Sequence, residues 1–75
     1  MGHEGMAVVV FPNSQMAVRA EELCKGEGIE AKLIPTPRHL SSACGLALRF
    51  PAAERERVRH LLEGAQIPHS EISEM

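Results

Sequence analysis

With 75 residues and a formal net charge of −2 at pH 7, the chain can form one small domain, near the lower size limit for a single hydrophobic core. Hydrophobic residues make up 44% of it and charged residues 24%, a balance typical of a folded domain and not of a disordered chain. The weakly acidic charge and the presence of only two aromatic residues argue against nucleic-acid binding, which needs a positive surface and stacking side chains.

The scarcity of aromatic residues means that small aliphatic side chains must build the core, and we weigh a homodimer as a source of further burial. The apolar runs are far shorter than the roughly 20 residues that span a bilayer. Residues 1–5 lack the basic and apolar regions of a signal peptide and are expected to be a loose terminus of a single domain spanning 1–75. The sequence thus predicts a cytoplasmic protein with no membrane partner.

Two cysteines, Cys24 and Cys44, lie far apart in the chain, with no Cys-x-x-Cys pair and no histidine pair at zinc spacing. This pattern argues against a disulfide framework and against a structural metal site. We therefore expect no metal and no cofactor.

The first third of the chain predicts a strand followed by a helix. Met6–Phe11 is a continuous apolar run rich in valine and closed by Pro12, which is typical of a central strand buried on both faces. Either Asn13 or Ser14 can cap the helix that follows, which the apolar periodicity extends to about Gly26.

Two more strands are predicted on either side of a polar loop. Glu30–Ile34 suggests a short strand that Pro35 ends. Gly45–Phe50 shows the clearest alternation in the chain. The side chains of this last strand that are predicted to face the core are Leu46, Leu48 and Phe50, and those predicted to face away are Ala47 and Arg49.

The end of the chain predicts a second helix and a last strand. Pro51 suits a first helical turn, and the helix has a charged Glu-Arg face. Its apolar stripe consists of Val58, Leu61, Leu62 and Ala65. His69–Glu74 is expected to be a weak edge strand. The order βαββαβ in so short a chain predicts an α+β, ferredoxin-like fold, with a four-stranded antiparallel sheet and both helices on one of its faces.

This topology gathers several polar residues at one end of the sheet. The first two strands end there and the third begins there, so Cys44 is expected to lie near Asn13 and Ser14 at the amino end of the first helix. A helix amino end carries partial positive charge and unpaired N–H groups, both of which favour a thiolate. Cys24, on the apolar face of the same helix, is interpreted instead as a buried structural residue.

The loop before the third strand offers further groups that suit an anion. Arg38 brings a full positive charge, Ser41 and Ser42 bring hydroxyl donors, and Gly45 leaves its backbone open to close approach. Together with Cys44 they predict a small anion-tolerant pocket around a nucleophilic sulfur.

These groups support two main hypotheses. In the first, Cys44 accepts sulfur or selenium as a persulfide or perselenide and passes it on by exchange, which implies a cysteine desulfurase or selenium donor and an acceptor protein as partners. In the second, the Arg38 loop binds an anion or metabolite in a small non-catalytic or regulatory module. Docking to a partner through edge strands is a third hypothesis.

Whether the chain is an enzyme stays open. It contains no Asp to form a His-Asp pair, and a carrier or binding role is simpler.

The segment from Leu33 to Phe50 carries the elements Ile-Pro-Thr-Pro-Arg and Ser-Ser-x-Cys-Gly-x-Ala-Leu-Arg-Phe, and it resembles the selenium/sulfur (Se/S) carrier-like family. A looser similarity extends over nearly the whole chain. The resemblance implies a ferredoxin-like or related α/β fold with Cys44 as the carrier cysteine. The residues that match the family's loop are Pro35, Pro37, Arg38, Ser41, Ser42 and Gly45. The chain has Ala43 where many members have another Ser, and it lacks the Cys-Pro-x-Pro motif of small sulfur-relay proteins.

Overall fold

The computed structural model of the protein describes residues 5–36 and 45–74. In chain order they form β1 (Met6–Val10), α1 (Ser14–Gly26), β2 (Lys32–Pro35), β3 (Leu46–Pro51), one 3₁₀ turn (Ala52–Glu54), α2 (Arg55–Gly64) and β4 (Ser73–Glu74). The strands make one sheet in the order β2-β3-β1-β4, and all three neighbouring pairs are antiparallel. The predicted α+β, ferredoxin-like fold is confirmed, with β1 and β3 at its centre.

Both helices cover the same face of the sheet. The strand residues of this core alternate as predicted, and the fully buried Leu48 and Phe50 are among its largest side chains. The helices contribute Ala17, Ala20, Cys24, Val58 and Leu62. Burying each large aliphatic or aromatic side chain stabilises the fold by about 1.5–3 kcal/mol, so this layer supplies most of the hydrophobic driving force.

The other face of the two central strands is buried as well. Val8 is 1% exposed, Val10 is 7% exposed and Ala47 is fully buried, and Ile34 packs against them. The prediction that β1 is buried on both faces is therefore correct. Ala47 points away from the helices, as predicted, but its side chain is part of this second apolar cluster.

The helix α1 begins at a side-chain cap and ends at a glycine. The Asn13 Oδ1 atom accepts a hydrogen bond from Met16 N at 3.0 Å, so Asn13 is the cap and Ser14 is the first helical residue. At the other end Gly28 has a φ of 77°, and Ile29 N donates to Cys24 O at 2.9 Å. This left-handed turn directs the chain back towards β2.

The last strand, β4, is much shorter than the predicted His69–Glu74. The reason is that Ser70 forms the hydrogen bonds with Val10 that the regular strand partner would otherwise form. Val10 N donates to the Ser70 Oγ atom at 3.2 Å, and Ser70 N donates to Val10 O at 2.9 Å. The regular pairing of Val8 with Ser73 would place Glu71, not Ser70, opposite Val10. A side-chain hydroxyl thus replaces a backbone carbonyl at this point, and within the described residues only Ser73 and Glu74 keep the regular ladder.

Candidate functional site at the loop end of the sheet

The end of β1, the end of β2 and the start of β3 lie together, at what we name the loop end of the sheet. Val10 pairs with Ala47 in one ladder, and Pro35 pairs with Leu46 in the other. Beyond that last pair, Thr36 N donates to Gly45 O at 3.0 Å. The strands therefore fix both the departure point and the return point of residues 37–44.

The amino end of α1 lies at the same end of the sheet, because α1 begins only a few residues after β1. Asn13 has an extended backbone, and its carbonyl accepts the first helical hydrogen bond from Ala17 N at 3.3 Å. The first turn of α1 contains no acidic side chain. The partial positive charge of the helix amino end is therefore not offset by a carboxylate of its own first turn.

Three predicted site residues lie at the loop end, in the described part of the chain: Asn13, Ser14 and Gly45. The side-chain oxygen of Asn13 is occupied in capping, so its role there is to hold the helix terminus. Ser14 and Gly45 are exposed. A Cβ atom added to Gly45 would meet no described atom within 4 Å, so packing does not require a glycine there and its backbone is open to a bound group.

The other predicted site residues fall outside the described residues. They are Arg38, Ser41, Ser42 and Cys44. Gly45 follows Cys44 directly in the chain, so the position of Gly45 is the nearest structural reference for the predicted nucleophile.

The second thiol lies away from the loop end. Cys24 is fully buried in the helix-covered core, in the last turns of α1. Burial raises the pKa of the Cys24 thiol above its ordinary value, and the positive charge of Arg57 lowers the pKa by a smaller amount. The interpretation of Cys24 as a small buried residue is confirmed, because a protonated and inaccessible thiol is a poor nucleophile.

A groove of about 450 Å³ between α2 and the segment before β4 includes His69. The His69 Nδ1 atom donates to Ser70 O at 2.8 Å. Arginines on this side of α2 are paired with carboxylates: Arg59 with Glu56 at 2.8 Å and Arg55 with Glu74 at 3.2 Å. The groove thus has charges of both signs, two arginines and three glutamates, and nothing in it singles out an acid, a base or an anion site.

Residues 5–36 and 45–74 contain neither a metal-binding cluster nor a helix that could span a membrane. No group of three His, Cys or Glu side chains there is placed to hold a metal ion. Neither α1 nor α2 is long and apolar enough to cross a membrane.

The fold and the loop end define a small ferredoxin-like α+β domain with a cysteine in the connection from β2 to β3. A family model with the description "Putative Se/S carrier protein-like" matches residues 6–74. Because the match covers nearly the whole chain, this chain belongs to that family, and the resemblance found in its central segment is confirmed. Neither the curated proteins nor the solved structures contain a match to it.

Lys32 and Arg49, which have no predicted role, lie directly opposite each other at the far end of the sheet. The outward position of Arg49 was visible in the alternation of β3. The register of β2 against β3 was not, and without it the two charges could not be placed together.

Proposed function

We propose that this protein carries sulfur or selenium as a persulfide or perselenide on Cys44. The observation that carries the proposal is the hydrogen bond between Thr36 N and Gly45 O, which returns the chain to β3 at the loop end, beside the amino end of α1. The membership in the Se/S carrier-like family supports the same function. The proposal requires the thiol of Cys44 to reach the amino end of the helix from this position.

The electrostatics of α1 favour such a thiolate. The partial positive charge and the unpaired N–H groups of a helix amino end stabilise an anion placed against its first turn, and they lower the pKa of a nearby thiol. No acidic side chain in the first turn of α1 opposes this effect. In the proposal Arg38 adds a full positive charge, and Ser41 and Ser42 supply hydrogen bonds to the bound sulfur or selenium anion.

The proposed transfer is a thiol exchange that needs no oxidant or reductant. The Cys44 thiolate attacks the terminal sulfur of a persulfide on a donor such as a cysteine desulfurase. The S–S bond of the donor breaks, its cysteine leaves as a thiolate, and a new S–S bond forms on Cys44. A thiolate of the acceptor protein then attacks the same terminal sulfur and releases Cys44. A selenium atom follows the same sequence of bond changes.

The proposal is tested by charging the protein with a cysteine desulfurase and cysteine, or with a selenium donor, and locating the added atom by mass spectrometry of peptides. We expect the added atom on the peptide of Cys44 and none on that of Cys24, because Cys24 is fully buried and its pKa is raised. Cys24→Ala should keep the modification, and Cys44→Ser should lose it.

An unmodified Cys44, in the presence of a donor that still charges a small free thiol, would contradict the carrier function. The outcome that favours the anion-binding module is different. In that case Cys44→Ser would leave the affinity for the anion unchanged, whereas Arg38→Gln would remove it. Comparing both variants in both assays separates the two functions.

A further inference from the structure

A second cleft, which we name the basic cleft, lies at the end of the sheet opposite the loop end. Its volume is about 500 Å³, within the range of about 300–1,000 Å³ typical of small-molecule pockets. It is formed where β1 and β2 begin, near the end of β3 and beside the last turn of α1. The residues that carry the inference are Met6, Lys25, Ile29, Glu30, Lys32 and Arg49.

Two positive charges of the basic cleft are neighbours in the sheet. Lys32 and Arg49 are directly opposite in the ladder between β2 and β3. Side chains in such a pair have their Cβ atoms about 5 Å apart, and like charges there are destabilising. No ion pair within residues 5–36 and 45–74 includes either side chain. Within this part of the chain, no carboxylate is therefore close enough to offset the repulsion between them as an ion-pair partner.

The guanidinium of Arg49 also has an unused hydrogen-bond donor. Its Nε atom is buried and has no acceptor among the described residues, although buried donors are nearly always paired in folded proteins. The Nε atom itself is buried, so an anion in the cleft would bind through the terminal nitrogens of the guanidinium, where it would supply the missing negative charge.

The charge of the basic cleft differs from that of the chain as a whole. Of the described residues that line it, Lys25, Lys32 and Arg49 are cations and only Glu30 is a carboxylate, whereas the net charge of the protein is −2. Lys25 is partly neutralised by Glu21, 3.4 Å away on α1, so Lys32 and Arg49 provide most of the excess positive charge.

We infer that the basic cleft binds a small organic oxyanion, either a carboxylate or a phosphate ester, through Arg49 and Lys32. The planar guanidinium presents parallel N–H donors that match two oxygens of either group, and Lys32 adds a point charge. Met6, which is half-buried, supplies apolar surface for the carbon part of such a ligand.

This binding function is independent of the proposed carrier function. Arg49 lies four residues beyond Gly45 along the extended chain, which at the usual rise per residue of a strand separates the two positions by about 13 Å. The basic cleft also lies at the opposite end of the sheet from the amino end of α1. One function can therefore fail experimentally without the other.

The test is an NMR titration of the full chain with inorganic phosphate and, separately, with succinate, at constant ionic strength set by sodium chloride. We expect saturable changes in the amide signals of Gly28 to Lys32 and of Arg49. The anion that binds more tightly identifies the phosphate or the carboxylate as the preferred group. Constant ionic strength removes the general screening of surface charges.

Arg49→Gln should weaken binding about tenfold or more, because it removes hydrogen bonds to a charged group. Lys32→Gln should weaken it several-fold, and since Lys32 is exposed this variant keeps the test valid if Arg49→Gln does not fold. Arg19→Gln is the matched control, because it removes an exposed positive charge of α1 outside the basic cleft and should leave the affinity unchanged. Changes that do not saturate with either anion, or an affinity that survives both cleft substitutions, would overturn the inference.

Discussion

Cys24 shows how strongly its surroundings determine the chemistry of a thiol. It is fully buried in the helix-covered core, and the removal of water disfavours its charged form more than the nearby Arg57 favours it. The raised pKa keeps the proton on the sulfur at neutral pH. This residue therefore contributes apolar packing, and its protonation is tied to the stability of the fold.

We predict that Cys24 makes the stability of the protein fall at alkaline pH. Its contribution is complete below the ordinary cysteine pKa of about 8.5. It is lost as the pH rises from there through the raised pKa of the folded state, because the unfolded chain gives up this proton first. The loss is at most about 1.4 kcal/mol for each pH unit.

The measurement is the free energy of unfolding in urea between neutral and alkaline pH, in a Cys44→Ser background that leaves one thiol. The same background with Cys24→Ala is the control, and it should lack this component of the decline. Parallel curves for the two proteins would contradict a raised pKa at Cys24.

At the scale of elements, the start of α1 depends on one side chain. The Asn13 Oδ1 atom satisfies an N–H group of the first turn, whereas Ser14 is already helical. We predict that Asn13→Ala lowers the free energy of unfolding by about 0.5–2 kcal/mol. Ser14→Ala should change it by less than about 0.5 kcal/mol, as is usual for an exposed position.

Circular dichroism during urea unfolding is the suitable measurement, because the chain has no Trp or Tyr to report by fluorescence. An equal loss in the two variants would mean that Asn13 does not act as the cap.

The strands and helices themselves could be predicted because their apolar residues recur at the positions that face the core. The alternation of β3 correctly identified Leu46, Leu48 and Phe50 as facing the helices, and the valine run of β1 indicated burial on both faces. The order of the elements then indicated which strand ends meet. These features depend on hydrophobic periodicity, which a single sequence displays directly.

Other features depend on contacts between distant residues and could not be predicted. Asn13 and Ser14 are equally able to cap a helix, and only the hydrogen bond to Met16 distinguishes them. The interruption of β4 comes from the Ser70 hydroxyl, and the meeting of Lys32 with Arg49 comes from strand register. Of the predicted loop-end site, Asn13, Ser14 and Gly45 could be placed, whereas the residues from 37 to 44 lie outside the described chain.

At the scale of the whole molecule, two ends of one sheet have different surroundings. The loop end has the capped amino terminus of α1, and the far end has the basic cleft beside the carboxyl end of the same helix. The apolar layer between them contains the buried residues of β1 and β3. Because the length of the sheet separates the two ends, substitutions at one end should act independently of those at the other.

We therefore predict that Asn13→Ala and Lys32→Gln have additive effects on stability. Lys32→Gln should raise the free energy of unfolding by about 0.2–1 kcal/mol at low salt, because it removes the repulsion with Arg49. The gain should shrink as salt is added. The double variant should match the sum of the single effects to within about 0.5 kcal/mol.

Urea unfolding of the two single variants and the double variant, at low and at high salt, is the measurement. A coupling well above about 0.5 kcal/mol would show that the two ends are not separate. A stabilisation that does not depend on salt would mean that the repulsion between Lys32 and Arg49 is not its cause.

The hydrogen bonds between Val10 and Ser70 join two residues that are 60 positions apart in the chain. The central strand β1 is made first during synthesis, yet both of its neighbours in the sheet are made later. Such long-range pairing slows folding, because the chain loses the entropy of closing a long loop before the stabilising contacts form. On a ribosome α1 can form early and β3 can cover one edge of β1, but the edge that pairs with β4 stays open until Ser70 has emerged from the exit tunnel. That one edge of the nascent chain is open to wrong strand pairing until β4 closes the sheet.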